Sequence, residues 1–325
     1  MKYTLVTAIL FILFTKGAAA EEDKHFINEP TTHLIEVLGE KQWIHGSQDC
    51  ENNQDHAIEV FQYNESSYVL RQNKCLSYEA PFIYVLIGQK KILVVDTGAT
   101  ENAEEFPLYQ TIQSLNQKHS DNTSTNEREI VVIHSHSHSD HYSADSQFIG
   151  QANVTVVAAN NAGVNEFFEF EQWPEQQANI ELGGRNITII PTPGHQEEAI
   201  SVYDPQTKWL LTGDTFYPGY IYVKAWGDYK ASIARLAEFT NKHNVSAILG
   251  SHIEMTNKPG EFYEIGTLYQ PEESSLLLTS SDLTTLNERL QQADKPKKIV
   301  MDSLIIEPLG FLPKLISSIA KWFIG

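Results

Sequence analysis

The chain has 325 residues, of which 23 are basic and 42 acidic, so its formal net charge is −19. Hydrophobic residues make up 41% of the chain, which is enough for a substantial core in one large domain or two small ones. Proteins that bind nucleic acid need a basic surface to neutralise phosphates, so this acidic balance argues against DNA or RNA as a partner.

The first twenty residues have the order of features of a secretory signal peptide. Lys2 precedes an apolar run at residues 5–14, and small residues follow at 18–20. This order predicts cleavage between Ala20 and Glu21, and therefore a secreted or periplasmic protein. The apolar run is too short to span a bilayer. A retained N-terminal anchor is the alternative.

The chain has two cysteines. Cys50 lies in the polar segment of residues 21–54, and Cys75 lies shortly after the apolar segment of residues 67–72. Neither belongs to a C-x-x-C motif, which disfavours a cysteine zinc site. Export would place both in an oxidising compartment, so we expect a disulfide that stabilises the fold by roughly 3 kcal/mol. Two free structural thiols are the alternative.

The remaining elements are predicted from hydrophobic patterning. Residues 21–54 are weakly patterned and predict a loop with some local helix. Strands are predicted at 57–63, 67–72, 81–88, 90–98, 128–133, 153–159, 186–190, 199–204, 208–214 and 245–252. Helices are predicted at 103–119, from about residue 143, and at 161–172, 228–243 and 282–293. Strands in two groups with helices between them indicate a layered α/β or α+β domain.

Side chains of metal-ligand type follow the C-terminal ends of several predicted strands. They are Asp96, His136, His138, Asp140, His141, His195, Asp214 and His252. Binding residues are commonly placed on loops at strand ends, where a rigid sheet holds them. One such histidine is usually a surface residue, but the combination predicts a metal site. Imidazole and carboxylate ligands suit zinc, with iron or manganese as alternatives.

The spacing of these residues resembles one known family. "HSHSDH" at 136–141 has the H-x-H-x-D-H pattern, and "DTG" at 96–98, "PTPGH" at 191–195, "TGD" at 212–214 and "GSH" at 250–252 follow the same family's order. With these five motifs, the chain resembles the metallo-β-lactamase superfamily over residues 80–255. The resemblance implies a four-layer αββα sandwich, with an extension at 21–79 that supplies the first strands and another at 256–325.

The resemblance also implies a ligand set for two zinc ions. The first ion would be held by His136, His138 and His195, and the second by Asp140, His141 and His252. Asp214 would bridge the two ions, and Asp96 would support the metal loop without binding metal. A hydroxide shared by the ions would be the nucleophile, with Asp140 orienting it. His134 lies outside the signature and receives no ligand role.

The residue at position 214 narrows the expected reaction. β-Lactamases of this fold generally have Cys or Ser there, whereas an aspartate resembles the glyoxalase II, lactonase and phosphodiesterase branches. The expected substrate is therefore a small ester, thioester or lactone. Three alternatives are a β-lactamase, a mono-iron sulfur dioxygenase of the same fold, and a metal-binding module without turnover.

Two further segments suggest contacts. The aromatic run at 216–226 contains Tyr217, Tyr220, Tyr222 and Trp226, which would either line the substrate pocket or pack the loop on the core. Tyr222 is the candidate donor to a carbonyl oxygen in the transition state. The tail at 311–325 is amphipathic and basic, so it would lie on an anionic membrane surface or dock on its own domain.

Overall fold

The structure is a computed structural model that describes residues 29–119 and 128–310. The signal peptide expected at 1–20 and the amphipathic tail expected at 311–325 lie outside the described residues, so both remain predictions. Within the described ranges, no helix is long and apolar enough to cross a bilayer.

The first sheet has six strands that lie side by side in chain order. They are β1 (Ile58–Asn64), β2 (Ser67–Gln72), β3 (Phe82–Ile87), β4 (Lys91–Val95), β5 (Glu129–Ile133) and β6 (Val154–Val156). Strands β1 to β4 pair antiparallel, whereas β4, β5 and β6 run parallel. The C-terminal ends of β4 and β5 therefore lie at the same edge of this sheet.

The second sheet also has six strands, in the order β13-β12-β10-β9-β8-β7. They are β7 (Ala178–Glu181), β8 (Asn186–Pro191), β9 (Ile200–Asp204), β10 (Trp209–Gly213), β12 (Ala247–Gly250) and β13 (Leu277–Leu278). Strand β9 pairs antiparallel with β8 and β10, and β10 runs parallel to β12. Consequently β8, β10 and β12 all end at one edge.

A third, small sheet was not predicted from the sequence. It contains β11 (Tyr220–Val223), β14 (Ile299–Val300) and β15 (Ile305–Pro308). The segment of β11 was interpreted as a loop, but it pairs parallel with β15, more than 80 residues later in the chain. Its strand conformation therefore depends on a distant partner, which local patterning does not reveal.

Five helices complete the described part of the chain. They are α1 (Glu29–Glu40), α2 (Leu108–Lys118), α3 (Asn161–Phe168), α4 (Trp226–Lys242) and α5 (Ser280–Gln291). Helix α2 is shorter than predicted because Pro107 occupies its N-cap position. Helix α3 ends early because Glu169 adopts a left-handed conformation, with φ at 54°. The prediction of a helix from about residue 143 is wrong, because Ser143–Gln147 forms only a short 3-10 segment.

Three apolar clusters separate four layers, which confirms the predicted αββα sandwich. Leu93 and Val95 of β4 face the cluster between the sheets, while Ile92 and Val94 face the outer cluster that contains Ile112 of α2. The second sheet alternates in the same way, and its outer face packs on α4 and α5. This period of two places one face of each sheet in the central core.

Both ends of the described chain contribute to this sandwich. Strands β1 and β2 extend the first sheet, and β13 extends the second. Cys50 and Cys75 form a disulfide that ties the segment before β1 to the connection between β2 and β3. The expected cross-link is therefore present in the structure.

A buried ion pair joins the two sheets at the edge opposite the strand ends that carry the histidines. Arg185, in the turn between β7 and β8, donates to Asp204 Oδ1 at 3.0 Å and Oδ2 at 2.7 Å. It also donates to the backbone oxygen of Ser66 at 2.8 Å and to Ser67 Oγ at 2.8 Å, in the first sheet. Burial alone would raise the pKa of Asp204, but Arg185 and Thr207 lower it below its ordinary value.

Replacing Arg185 by methionine is expected to destabilise the protein strongly. Arg185→Met leaves the buried Asp204 carboxylate without its cation, so we expect the free energy of unfolding to fall by about 3–5 kcal/mol. The matched control is Lys242→Met, which breaks an exposed ion pair with Glu238 and should cost less than about 1 kcal/mol. Urea unfolding of both variants measures the difference, and equal losses would contradict the role given to Arg185.

Candidate metal centre

Seven histidine and aspartate side chains meet at the edge where β5, β8, β10 and β12 end. They form two groups, within each of which one ligand atom per residue lies within 4.8 Å of the others. The first group contains His136, His138, His195 and Asp214, and the second contains Asp140, His141 and His252. The structure thus brings together every residue that the sequence assigned as a metal ligand.

The first group converges on the imidazole of His138. His138 Nδ1 lies 3.0 Å from His136 Nε2 and 3.2 Å from His195 Nε2. Asp214 Oδ2 lies 3.6 Å from the Nε2 atoms of both His136 and His195. Four donor atoms therefore face a common point, the number that a tetrahedral zinc site requires.

The second group is equally tight. His252 Nε2 lies 3.3 Å from both His141 Nε2 and Asp140 Oδ2, and His141 Nε2 lies 3.2 Å from Asp140 Oδ2. Two imidazoles and one carboxylate leave room for a further ligand from the neighbouring group or from solvent. Catalytic zinc sites differ from closed structural sites in having such an open position.

Asp214 is the residue that contacts both groups. Its Oδ2 faces the first group and lies 3.7 Å from His141 Nε2, while its Oδ1 lies 3.5 Å from His252 Nε2. Oδ1 is buried and has no hydrogen-bond partner within the described residues. A buried carboxylate oxygen without a donor is costly in an otherwise satisfied interior. A divalent ion in each group would satisfy it, so these residues fit the metals that the family implies.

The far nitrogens of three histidines fix the orientation of the rings. The Nδ1 atoms lie 2.9 Å from Asp96 Oδ2 for His141, 2.8 Å from the backbone oxygen of Tyr222 for His195, and 2.9 Å from the backbone oxygen of Glu79 for His252. Each partner is an acceptor, so each Nδ1 carries the proton. When each ring is neutral, its Nε2 lone pair therefore faces the group and can bind metal.

Two contacts of the centre were missed at the sequence level. Gln196 places its amide nitrogen against His138 Nε2, and its own Oε1 is buried without a partner in the described chain. Rotation of this amide would let Oε1 accept from His138 Nε2–H, which frees Nδ1 for a metal. The only sequence feature that could have indicated a role for Gln196 was its position directly after His195. The backbone acceptor of Glu79 had no signal, because backbone oxygens are common to all residues.

The structure also locates Asp96 and His134, the two nearby residues to which the sequence analysis gave no metal-ligand role. Asp96 contacts His141 but lies outside both ligand groups. His134 also lies outside them, and its Nε2 lies 2.9 Å from Asp145 Oδ1.

The aromatic run has a mixed role. Tyr217, Tyr220 and Tyr222 line the cleft above the two groups, whereas Trp226 packs against the outer apolar cluster of the second sheet. The hydroxyl of Tyr217 donates to Glu254, and that of Tyr220 donates to Glu307. Tyr222 is the most exposed of the three, at 37%, and so is the one best placed to meet a ligand.

In the protein without metal, the histidine pKa values shift in opposite directions in the two ligand groups. Burial lowers the pKa of His136 well below its ordinary value and that of His195 to about 4. Burial would also lower the pKa values of His141 and His252, but the neighbouring aspartates outweigh it. The pKa of His141 is held well above its ordinary value, mainly by Asp140 and Asp96, and that of His252 is raised to about 9, mainly by Asp214 and Asp140.

Comparison with known proteins assigns the chain to a family. The model of the metallo-beta-lactamase superfamily matches residues 79–252. A human acyl-coenzyme A thioesterase is 24% identical over 203 residues, which are 52% of this chain and 72% of that protein. A hydroxyacylglutathione hydrolase from Bartonella tribocorum is 29% identical over 87 residues, 27% of this chain and 34% of that protein. Among solved structures, a metallo-beta-lactamase from Pontibacter korlensis has a TM-score of 0.46 and 16% identity, covering 73% of this chain and all of that one.

Two buried histidines two residues apart provide a matched test of the ligand register. In His136→Ala the first group loses a donor, so we expect bound zinc to fall by about one ion per chain. His134→Ala removes an equally buried imidazole that faces Asp145, and it should leave the zinc content unchanged. Elemental analysis of both purified variants measures this. Loss of zinc from His134→Ala alone would show that the ligands are assigned in the wrong register.

The pKa values predict that the two groups take up metal with different pH dependence. His136 and His195 are neutral at pH 7, so these two ligands should add little pH dependence to the affinity for the first ion between pH 6 and 9. His141 and His252 are protonated at pH 7 and must release their protons, so affinity for the second ion should rise about tenfold per pH unit for each proton released. Zinc calorimetry in buffers of different ionisation enthalpy counts the released protons. Equal release for both ions would contradict the prediction.

Proposed function

Because the chain belongs to the metallo-beta-lactamase superfamily, we propose that this hydrolase cleaves a small ester, thioester or lactone at a centre of two zinc ions. The observation that carries the proposal is Asp214, whose Oδ2 contacts both ligand groups and whose Oδ1 contacts His252 of the second. An aspartate at this position resembles the glyoxalase II, lactonase and phosphodiesterase branches of the family. The curated relatives are named as hydrolases of acyl compounds, which supports the same class.

His136, His138 and His195 would hold one ion and Asp140, His141 and His252 the other, with Asp214 shared; iron or manganese could replace zinc in such a ligand set. When bound, the ions would lower the pKa of water toward about 7 and withdraw electron density from a substrate carbonyl.

The protein side chains position the reactants. The Asp140 carboxylate is 17% exposed, so it can accept a hydrogen bond from the attacking water while it contacts His141 and His252. Tyr222 lies at the cleft and is assigned as the donor to the carbonyl oxygen as negative charge develops on it. The burial of the His195 and His252 rings keeps them in one orientation through the reaction.

Outside the ligand groups, the charges of the cleft disfavour negative charge on the part of the substrate that lies away from the metal ions. Apart from the ligand groups, its acidic lining residues are Glu79, Glu254 and Glu264, against the single cation Lys74. Lys74 is buried and its ammonium donates to the backbone oxygen of Tyr78 at 3.1 Å, so it is already partly engaged. A polyanionic leaving group would meet this acidic wall on a chain of net charge −19.

Export is part of the proposal. It rests on the signal-peptide pattern of residues 1–20, and the disulfide between Cys50 and Cys75 is consistent with an oxidising compartment. The substrate would then be met outside the cytoplasm.

A panel of chromogenic substrates tests the function. Zinc-loaded protein is assayed with an acetyl thioester, a phenyl ester, a γ-lactone, a phosphodiester and a β-lactam. We expect turnover of at least one of the first three, and Asp140→Asn should lower its kcat on the order of 100-fold, because a neutral amide is a weaker hydrogen-bond acceptor and a weaker metal ligand than the carboxylate. Ser146→Ala, at an exposed serine of the short 3-10 segment that follows this loop, is the control. Turnover of the β-lactam alone, or one bound iron per chain with oxygen uptake, would overturn the proposal in favour of the two enzymatic alternatives.

A further inference from the structure

The mouth of the cleft carries apolar side chains that are unusually exposed. Tyr78 is 41% exposed, Tyr222 is 37% and Ile265 is 70%, and all three line the cleft that contains the ligand groups. They come from three separate parts of the chain: the connection between β2 and β3, strand β11, and the long connection between β12 and β13. The clustering is therefore a property of the fold and not of one apolar segment.

The other exposed apolar residues of the described chain do not line the cleft, although Leu76 and Leu268 lie within three positions of Tyr78 and Ile265. Ile149 is 64% exposed beyond the short 3-10 segment, Val60 lies on β1, and Val300 lies on β14. Single exposed apolar side chains are common and need no explanation, whereas a group around a cleft usually marks a binding surface. The group of Tyr78, Tyr222 and Ile265 is called the apolar rim below.

The apolar rim continues into the cleft through half-buried aromatic rings. The rings of Tyr220 and Tyr222 lie 5.1 Å apart between centroids, and Tyr220 lies 4.8 Å from Phe262. Tyr263 also lines the cleft. The cleft thus has a polar floor of histidines and aspartates and an apolar wall that reaches solvent.

From this arrangement we infer that the apolar rim binds an unbranched alkyl chain attached to the scissile carbonyl group. The inference rests on the proposed function, since the carbonyl must lie at the ligand groups while the chain extends along the rim. It makes the preferred substrate an uncharged ester or thioester of medium chain length. A chain that ends in a carboxylate would gain little, because Glu79 and Glu264 line the same cleft.

The expected gain in kcat/KM for each added methylene follows from the area of apolar surface that is removed from water. A fully buried methylene would improve binding about fourfold. The rim is open on one side, so we expect an increase of about two- to threefold in kcat/KM for each methylene added.

Uncharged thioesters of N-acetylcysteamine with acetyl, butanoyl, hexanoyl and octanoyl groups test the inference. For the zinc-loaded wild type, kcat/KM should rise along the series. Ile265→Ser should reduce the octanoyl-to-acetyl ratio of kcat/KM about tenfold. Ile265→Leu, which keeps an apolar side chain, should leave this ratio close to that of the wild type. Ile149→Ser, at a comparably exposed isoleucine outside the cleft, is the matched control and should leave the ratio unchanged. A second series, S-alkyl thioacetates from methyl to hexyl, places the chain on the thiol side of the same carbonyl.

The outcomes separate this inference from the proposed function. A rise in the acyl series that Ile265→Ser reduces about tenfold supports the rim, whereas a rise in the S-alkyl series alone overturns the placement of the chain on the acyl side of the carbonyl. Turnover of the acetyl thioester with no dependence on chain length in either series overturns the rim but leaves the proposed function intact. An equal loss in Ile149→Ser and Ile265→Ser also overturns it. No turnover of any ester, thioester or lactone contradicts the proposed function itself.

Discussion

The centre depends on one buried carboxylate that holds the two sheets together at their common edge. Asp96, directly after β4, is fully buried and accepts hydrogen bonds from the backbone and hydroxyl of Ser135 at 2.7 and 2.9 Å. It also accepts from Ser251 Oγ at 3.2 Å and contacts His141 at 2.9 Å. A buried charge is tolerated only when its lone pairs are satisfied, so these donors and Asp96 require one another. Three loops from both sheets are thereby fixed around one point.

The backbone at this point is held in conformations that side chains rarely adopt. Asp96 has φ at 69°, and Gly213, next to Asp214, has φ at 52°. A Cβ atom at Gly213 would lie 2.4 Å from the Cβ of Ser135, so only glycine lets β10 approach the loop after β5 this closely. Such strain persists where the surrounding structure determines it, and here it positions the carboxylate that contacts both ligand groups.

The ligands could be predicted from sequence because each follows an apolar strand within a few residues, and strand ends converge at one sheet edge. Patterning alone predicted only a layered α/β or α+β domain, because strands such as β4 and β5 are continuous apolar runs; the four-layer sandwich was implied by the family resemblance. Local patterning failed where the partner is distant, as for β11, or where backbone atoms make the contact, as for Glu79. It also failed at Ser143, because a run of small and polar residues does not reveal that only a short 3-10 segment forms there. The apolar rim combines residues whose exposure is defined only by the folded chain.

The ligand groups are assembled from residues far apart in the chain; His141 and His252, in the same group, are 111 positions apart. An unfolded chain offers only the part of each set that lies at residues 136–141, so metal should bind the native state much more tightly. By thermodynamic linkage, ion binding then adds to the stability of the fold, at most about 2.7 kcal/mol for each ion present at one hundred times its dissociation constant. The resistance of this protein to unfolding and proteolysis would follow the supply of free metal in its compartment, as well as its own packing.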